Sequence, residues 1–311
     1  MSHQLKYAIA LAIITSLISG TNNFLTKIAV TAAADPVVFT FLKNAIVAVF
    51  LVGLIALTNR RRELPTLTRR DIIKLLAIGA IGGSLPFILF FTGLTLVPAV
   101  TASFIHKTLF IWVALLAAPL LKERVGLLQF AALAFLFGGN LVLSSSPHLS
   151  LGRGELMILA ATILWAIENI IAKKALNNLS SPLVAGARMT VGSLIILIII
   201  AAQGKITLLS SLSATQWSWT LLTSLLLAGY VLTWYTALKY APATLVASLL
   251  VPATLVTNAL AAIFVTHSFP TPQLVSGTFM ALGAVLIISR ANKISSAYGR
   301  RRPLLPLLPR P

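Results

Sequence analysis

Long apolar segments separated by short polar ones make up most of the chain. About ten of these segments are long enough to cross roughly 30 Å of hydrocarbon as helices that rise about 1.5 Å per residue. We predict the first five spans at Tyr7–Val30, Pro36–Thr58, Ile72–Leu96, Ala99–Leu121 and Gly126–Leu143. We predict the second five at Glu155–Leu176, Pro182–Ala202, Trp217–Tyr240, Ala243–Val265 and Pro272–Ser289. The pattern therefore predicts an all-α integral membrane protein with ten transmembrane helices.

The composition leaves little polar surface for water. Of 311 residues, 58% are hydrophobic and 10% are charged, and the mean hydropathy is +0.96. With so few residues left for loops, we expect no sizeable soluble domain. The absence of cysteine excludes disulfides and thiolate metal sites.

The net charge of +18 does not indicate nucleic-acid binding, because the basic residues lie in short loops between apolar segments. If the N-terminus is inside, the outer side holds little beyond Lys27, Arg153 and Lys205. The inner loops and tail hold many more, including Arg60, Arg61, Arg62, Arg69, Arg70, Lys74, Lys122, Arg124, Lys173, Lys174, Lys239 and Arg290. By the positive-inside rule, we predict a multi-pass plasma-membrane protein with both termini in the cytoplasm.

The two halves of the sequence match each other at an offset of about 145 residues. The matched pairs are Asn23 with Asn169, Lys27 with Lys173, Pro36 with Pro182, Ala102-Ser103 with Ala247-Ser248 and Gly138 with Gly283. We therefore divide the chain into a first five-helix repeat at 1–146, a second at 147–294 and a disordered basic tail at 295–311.

An odd number of spans per repeat has a topological consequence. The second repeat must enter the membrane upside down relative to the first. Inverted repeats of this kind are an architecture of secondary transporters, whose substrate sites lie near the membrane midplane between the repeats. The sequence therefore predicts a secondary transporter that works by alternating access.

The order of these motifs resembles the drug/metabolite transporter superfamily, and the EamA-type transporters in particular. The resemblance covers about residues 7–290 and includes Trp165-Ala166 and the Pro-Ala starts of spans four and nine. Members of the family commonly carry a proline within spans four and nine and an acidic residue after each. Pro252 and Glu123 match that pattern, whereas Lys107 and Ser268 replace the other two. The resemblance implies export of small metabolites.

Charged residues inside the apolar segments are the strongest candidates for function. Lys43, Lys107, Glu168 and Arg188 each lie well within a predicted span. A charge at that depth costs roughly 2.5–3.5 kcal/mol, so we expect these side chains to face the bundle interior, to pair or to line a wet cavity. For Lys43 and Arg188, binding an anionic substrate or closing a gate is one interpretation, and snorkelling to an interface is an equally good one.

Lys107 and Glu168 have two interpretations each. Lys107 either pairs with Glu168 or presents a cation to an anionic substrate. Glu168 is either a structural partner of Lys107 or Arg188, or a proton-coupling site. For His106, beside Lys107, we expect a hydrogen bond between helices first and proton transfer second.

Polar and aromatic residues near these charges complete the predicted site. We assign Asn23, Asn169, Trp165, Tyr235 and His106 to substrate binding, with helix packing as the alternative for each. We expect no cofactor, no metal and no enzymatic activity, because no phosphate loop, metal-ligand spacing or nucleophile–base set is present. The expected partners are a small-molecule substrate and the lipid bilayer, and both a monomer and a homodimer stay open.

The three cations and one carboxylate favour an anionic or zwitterionic substrate, such as an amino acid. Proton coupling through Glu168 is one mechanism. The alternatives are an uncoupled facilitator and, from another class, a membrane enzyme or scaffold for lipid-linked substrates.

Overall fold

The structure is a computed structural model that describes residues 2–32, 35–94, 96–97, 99–123, 126–143, 152–268 and 271–299. These residues form helices and connecting segments, with no β-strand among them. The helices of the first half are α1 (His3–Ala32), α2 (Pro36–Leu57), α3 (Arg69–Gly83), α4 (Leu85–Leu94), α5 (Ala99–Lys107), α6 (Leu109–Leu121) and α7 (Leu127–Leu143). Those of the second half are α8 (Arg153–Ala175), α9 (Ser181–Ala202), α10 (Ala214–Tyr240), α11 (Ala243–Leu250), α12 (Ala253–Ala261) and α13 (Thr271–Gly299).

Nine segments of the described chain are helical, long and apolar enough to cross a membrane. A tenth apolar helix at Leu127–Val142 is shorter. Together they coincide with the ten predicted spans, so the predicted all-helical ten-span membrane fold is confirmed.

Three spans, the third, the fourth and the ninth, are broken rather than continuous. The third consists of α3 and α4, which meet at Ser84, and the ninth consists of α11 and α12, which meet at Val251-Pro252. A π-helical turn at Ala262–Thr266 follows α12. Proline explains two of these breaks, because Pro86 and Pro252 lack the N–H that a continuous helix needs.

The fourth span is also broken. Although Lys107 replaces the proline of the family pattern, α5 ends there and α6 begins at Leu109. Thr108 makes the break, because both its N–H (3.1 Å) and its hydroxyl (2.7 Å) donate to the carbonyl of Ile105. The carbonyl of Phe104, left without Thr108 as a donor, accepts from Asn140 Nδ2 at 3.3 Å. The fourth and ninth spans are therefore broken at equivalent places in the two repeats.

Charged side chains cap helix ends at one end of the bundle, which we call the Glu123 end. Glu123 accepts from the N–H groups of Ala243 (2.7 Å) and Thr244 (3.0 Å) and from the Thr244 hydroxyl (2.7 Å). Lys173 donates to the carbonyls of Leu238 and Ala241. An acid thus caps the first turn of α11 and a cation caps the last turn of α10, both favourable for helix dipoles.

At the opposite end, which we call the Asp35 end, an ion pair links the start of α2 to the segment that follows α9. Asp35 accepts from the N–H groups of Val37 (2.7 Å) and Val38 (3.1 Å) at the start of α2, and from Lys205 Nζ at 2.7 Å. Burial raises the pKa of Asp35, but the Lys205 ammonium and the two N–H groups outweigh it and hold the pKa below its ordinary value.

The predicted division into repeats falls between residues 146 and 147, which lie outside the described residues. In the predicted tail, α13 continues to Gly299, and residues 300–311 lie outside the described residues.

Candidate functional site

The break in the third span leaves a backbone carbonyl without its helical partner. In a continuous helix the carbonyl of Gly82 would accept from the N–H of residue 86, but residue 86 is proline and has none. A buried carbonyl must find another donor, because leaving it unpaired costs about 1–3 kcal/mol. The sequence at positions 82–86 therefore creates an acceptor in the middle of the bundle.

Two side chains from the second repeat donate to this carbonyl. Trp165 Nε1 on α8 lies 3.1 Å from the Gly82 oxygen, and Arg188 Nη2 on α9 also lies 3.1 Å from it. Both side chains are buried, with 8% of each residue exposed. We call Gly82, Trp165, Glu168, Arg188 and Tyr235 the Gly82 node.

Glycine at position 82 allows the close approach. A Cβ there would lie 2.4 Å from Glu168 Cγ, 2.9 Å from Glu168 Cδ and 3.1 Å from Arg188 Nε. Gly83, its neighbour, meets Gly192 of α9 in the same way, with 2.9 Å from the built Cβ to the Gly192 Cα. The glycines of α3 thus bring its backbone into contact with both α8 and α9.

Glu168 is held inside the node. It is 2% exposed, and Tyr235 on α10 donates its hydroxyl to Glu168 Oε1 at 2.6 Å. The Arg188 guanidinium lies on the same side of Gly82 and acts on Glu168 electrostatically, without a direct ion pair between these two described residues. Arg188 Nε has no hydrogen-bond partner among the described residues. The sequence left Lys107 and Arg188 as alternative partners of Glu168, and Arg188 is the one that lies near it.

An aromatic cluster lies on the other side of Trp165. The rings of His106 and Trp165 are 4.8 Å apart, those of Phe90 and His106 are 5.3 Å apart, and those of Phe87 and Trp165 are 5.3 Å apart. These side chains come from α4, α5 and α8. The interhelical hydrogen bond expected of His106 is not formed, because its buried Nδ1 has no partner in the described chain. His106 is packed between rings instead.

Lys107 follows this cluster at the last residue of α5. Its side chain is partly exposed, and it makes no hydrogen bond or ion pair with any residue that the structure describes. The Lys107–Glu168 ion pair weighed above is therefore not formed. Within the described chain, the fourth span therefore presents an unpaired ammonium group where it breaks.

Lys43 lies apart from these contacts. It is 7% exposed, and its ammonium donates to the Thr26 hydroxyl at 3.1 Å and lies 5.3 Å from the Phe39 ring centroid. The side chain is thus turned into the bundle and does not snorkel.

The two pseudo-equivalent asparagines differ. Asn169 is 4% exposed and donates to the Trp165 carbonyl at 2.9 Å, while its Oδ1 has no described partner. Asn23 is exposed and makes no hydrogen bond to a described residue. The assignment of Asn23 to the site stays a prediction, as do the assignments of the other site residues.

Sequence reasoning missed the backbone acceptors and two rings of the site. The Gly82 carbonyl, the Gly83 carbonyl that accepts from Asn44 Nδ2 at 3.5 Å, and the rings of Phe87 and Phe90 were not predicted. The signal for the first was present, because a proline four residues after a glycine inside an apolar span frees that glycine's carbonyl. The rings carried no comparable signal, since aromatic residues are common in membrane spans.

The fold and its broken, pseudo-equivalent helices define a membrane transporter built from two five-helix repeats. The sequence profile of the EamA-like transporter family matches residues 6–145 and 152–290. The chain therefore belongs to the EamA-like transporter family, a transporter family of the drug/metabolite transporter superfamily.

A solved structure, titled only as a crystal structure of a protein, has the same fold. It aligns with a TM-score of 0.75 and 16% sequence identity over 92% of this chain and 98% of the other. At that identity the likeness concerns the fold alone. A search of the curated proteins found no match.

Proposed function

We propose that this transporter moves small anionic or zwitterionic metabolites, such as amino acids, by alternating access. The single observation that carries the proposal is the free ammonium of Lys107. Within a span, such a charge costs roughly 2.5–3.5 kcal/mol unless a partner offsets it. No described residue offers one, so the partner we propose is the negative group of the substrate.

The charges of the Gly82 node support the same assignment. Arg188 and Glu168 act on each other electrostatically, so an ionised Glu168 offsets the charge of Arg188. Of the four charged residues first singled out, Lys107 then remains as a cation without a described partner beside the aromatic cluster, and Lys43 is a further cation that lies apart from it. A site with surplus positive charge favours a ligand with negative charge.

The body of the substrate would lie against the rings beside Lys107. Trp165, His106, Phe87 and Phe90 form a continuous aromatic cluster, and Asn169, one turn after Trp165 on α8, has an Oδ1 without a partner in the described chain. An acceptor suits the ammonium of a zwitterion, as the Lys107 cation suits its carboxylate. This pairing supports an amino-acid-like ligand.

Proton coupling is proposed at Glu168. The carboxylate is buried, bonds to Tyr235 and lacks a direct ion pair with Arg188, so protonation changes the charge of the node without breaking a salt bridge. A facilitator that uses no proton would ignore an imposed pH gradient. Transport by proteoliposomes with and without such a gradient, in the native protein and in Glu168→Gln, separates the two mechanisms: coupling predicts a dependence that Glu168→Gln abolishes.

We further propose export across the plasma membrane, with the Glu123 end facing the cytoplasm. The direction rests on the family likeness and the orientation on the positive-inside rule. Because the chain has no cysteine, single cysteines are clean reporters. An impermeant thiol reagent applied to intact cells should leave Arg61→Cys unlabelled and should label Gly204→Cys. The reverse pattern would overturn the orientation.

The substrate class is tested by thermal unfolding of the purified protein with a panel of anionic, zwitterionic and cationic amino acids. A bound ligand raises apparent stability by about 2.7 kcal/mol at a concentration a hundredfold above its Kd. We expect stabilisation by anionic or zwitterionic compounds, its loss in Lys107→Gln and its retention in Lys107→Arg. Stabilisation by cationic amino acids alone would refute the proposal.

A further inference from the structure

A groove runs between α12 and α13 at the Asp35 end of the bundle, apart from the site described above. It has a volume of about 420 Å³. Its lining comes from both helices: Leu255, Asn258, Ala259, Gln273, Leu274, Gly277, Thr278 and Ala281.

Two polar atoms in this lining have no partner. Asn258 Nδ2 on α12 and Gln273 Oε1 on α13 are both buried, and neither makes a hydrogen bond within the described chain. One is a donor and the other an acceptor, and they do not bond to each other. Leaving a buried donor or acceptor unpaired is unfavourable. A ligand that satisfied both would recover that free energy.

The groove opens on the membrane-facing surface. Leu274 in its wall is 58% exposed, and the exposed residues that follow along α13 include Leu282 (46%) and Val285 (63%). Bilayer hydrocarbon offers no hydrogen bonds to the two polar atoms. An occupant must therefore combine an apolar chain with a polar group that both accepts and donates.

We propose that this groove binds a phosphatidylethanolamine molecule. Its ester or phosphate oxygens would accept from Asn258, its ammonium N–H would donate to Gln273, and an acyl chain would lie over Gly277 and Ala281. The lining has no charged side chain, which favours a zwitterionic headgroup over an anionic one. Phosphatidylcholine offers the same acceptors, but its quaternary ammonium has no N–H to donate.

The test uses the full-length protein, delipidated in detergent and returned to phosphatidylethanolamine, phosphatidylcholine or phosphatidylglycerol with matched acyl chains. We expect phosphatidylethanolamine to raise the midpoint of thermal unfolding the most. Gly277→Leu places an apolar side chain in the groove and keeps both polar residues, and the first added carbon fits without overlap, since a Cβ meets only Leu255 Cδ2 at 3.7 Å. We expect this variant and Gln273→Leu to lose the preference, whereas Leu282→Ala, on the exposed face of α13 outside the groove, keeps it.

Native mass spectrometry of the same samples counts bound lipids directly. It replaces the thermal-unfolding measurement for any variant that is too unstable to give a clear midpoint. At least a tenfold weaker retention of phosphatidylethanolamine in Gln273→Leu than in Leu282→Ala supports the proposal. Equal effects of the three lipids, a preference for phosphatidylglycerol, or unchanged retention in Gly277→Leu would each overturn it. Loss of a dimer in Gly277→Leu with lipid retention unchanged would assign the groove to a second copy of the chain instead.

Discussion

The Gly82 node and the end of α5 deal differently with charge inside the membrane. In the node, Glu168 has Tyr235 as a hydrogen-bond donor, and Arg188 has the Gly82 carbonyl as an acceptor. At the end of α5, Lys107 has no described partner at all. The two regions are joined through Trp165, which bonds to Gly82 on one side and contacts the His106 ring on the other.

The contrast teaches which charges hold the bundle together and which are kept for a ligand. Removing one partner of a buried charge pair strongly destabilises the protein, because the other charge is left uncompensated. A charge without a partner can be removed with little loss of stability. Stability and transport should therefore respond in opposite ways to substitutions in the two regions.

The largest expected effect is on stability in the node. Arg188→Met leaves Glu168 buried without its neighbouring cation, and we expect a loss of about 3–5 kcal/mol in the free energy of unfolding. Lys107→Met removes a partly exposed cation without a described partner and should change stability by less than about 1 kcal/mol while abolishing transport. Chemical unfolding in mixed micelles measures both variants. Equal losses in the two variants would contradict the contrast.

A smaller effect on stability is expected at the close contact between Gly82 and α8 within the node. In Gly82→Ala, the new Cβ would overlap Glu168 Cγ at 2.4 Å, so we expect overpacking to cost about 1–3 kcal/mol. Gly53→Ala is the matched control, because an added Cβ there meets nothing within 4 Å. That control should be neutral or gain about 0.5–1 kcal/mol from reduced backbone entropy. If Gly82→Ala were as stable as Gly53→Ala, the node would not be tightly packed at this position.

The tryptophan that joins the regions allows a finer test. Trp165→Phe keeps a ring but removes the donor to Gly82, and we expect a loss of about 0.5–1.5 kcal/mol. Trp234→Phe is the control, because Trp234 is also buried and stacks on Tyr230 at 6.0 Å without a described hydrogen bond from its indole. If the control loses as much stability as Trp165→Phe, the bond to Gly82 contributes nothing specific. Thermal unfolding of the two variants side by side gives the difference.

The smallest effect is expected at the Asp35–Lys205 pair, which is partly exposed. We expect Asp35→Asn to cost no more than about 1 kcal/mol. Because the folded-state pKa of Asp35 is lowered, its contribution is complete above the ordinary value of 3.8 and is lost as the pH falls through the lower folded-state pKa. Unfolding midpoints of the native protein and the variant should converge in that acidic range. A difference that persists or grows there would contradict the assignment.

The sequence was sufficient for the spans and the repeats, and it was insufficient for the partners of the charged residues. Apolar length predicts where a helix crosses the membrane, so all ten spans were identified. Which cation meets Glu168 depends on how α8, α9 and α10 are rotated against α3, and periodicity does not determine that rotation. The break at Thr108 was missed because it depends on a hydroxyl bond rather than on proline.

Lys107 is proposed to meet the negative charge of the substrate, and the ligand affinity of Lys107 variants measures that contact. The affinity of the best anionic or zwitterionic ligand is compared in the native protein, Lys107→Arg and Lys107→Gln, by ligand-dependent thermal unfolding. We predict at least tenfold weaker binding in Lys107→Gln, which corresponds to about 1.4 kcal/mol, and near-native binding in Lys107→Arg. Equal affinity in all three proteins would contradict the claim.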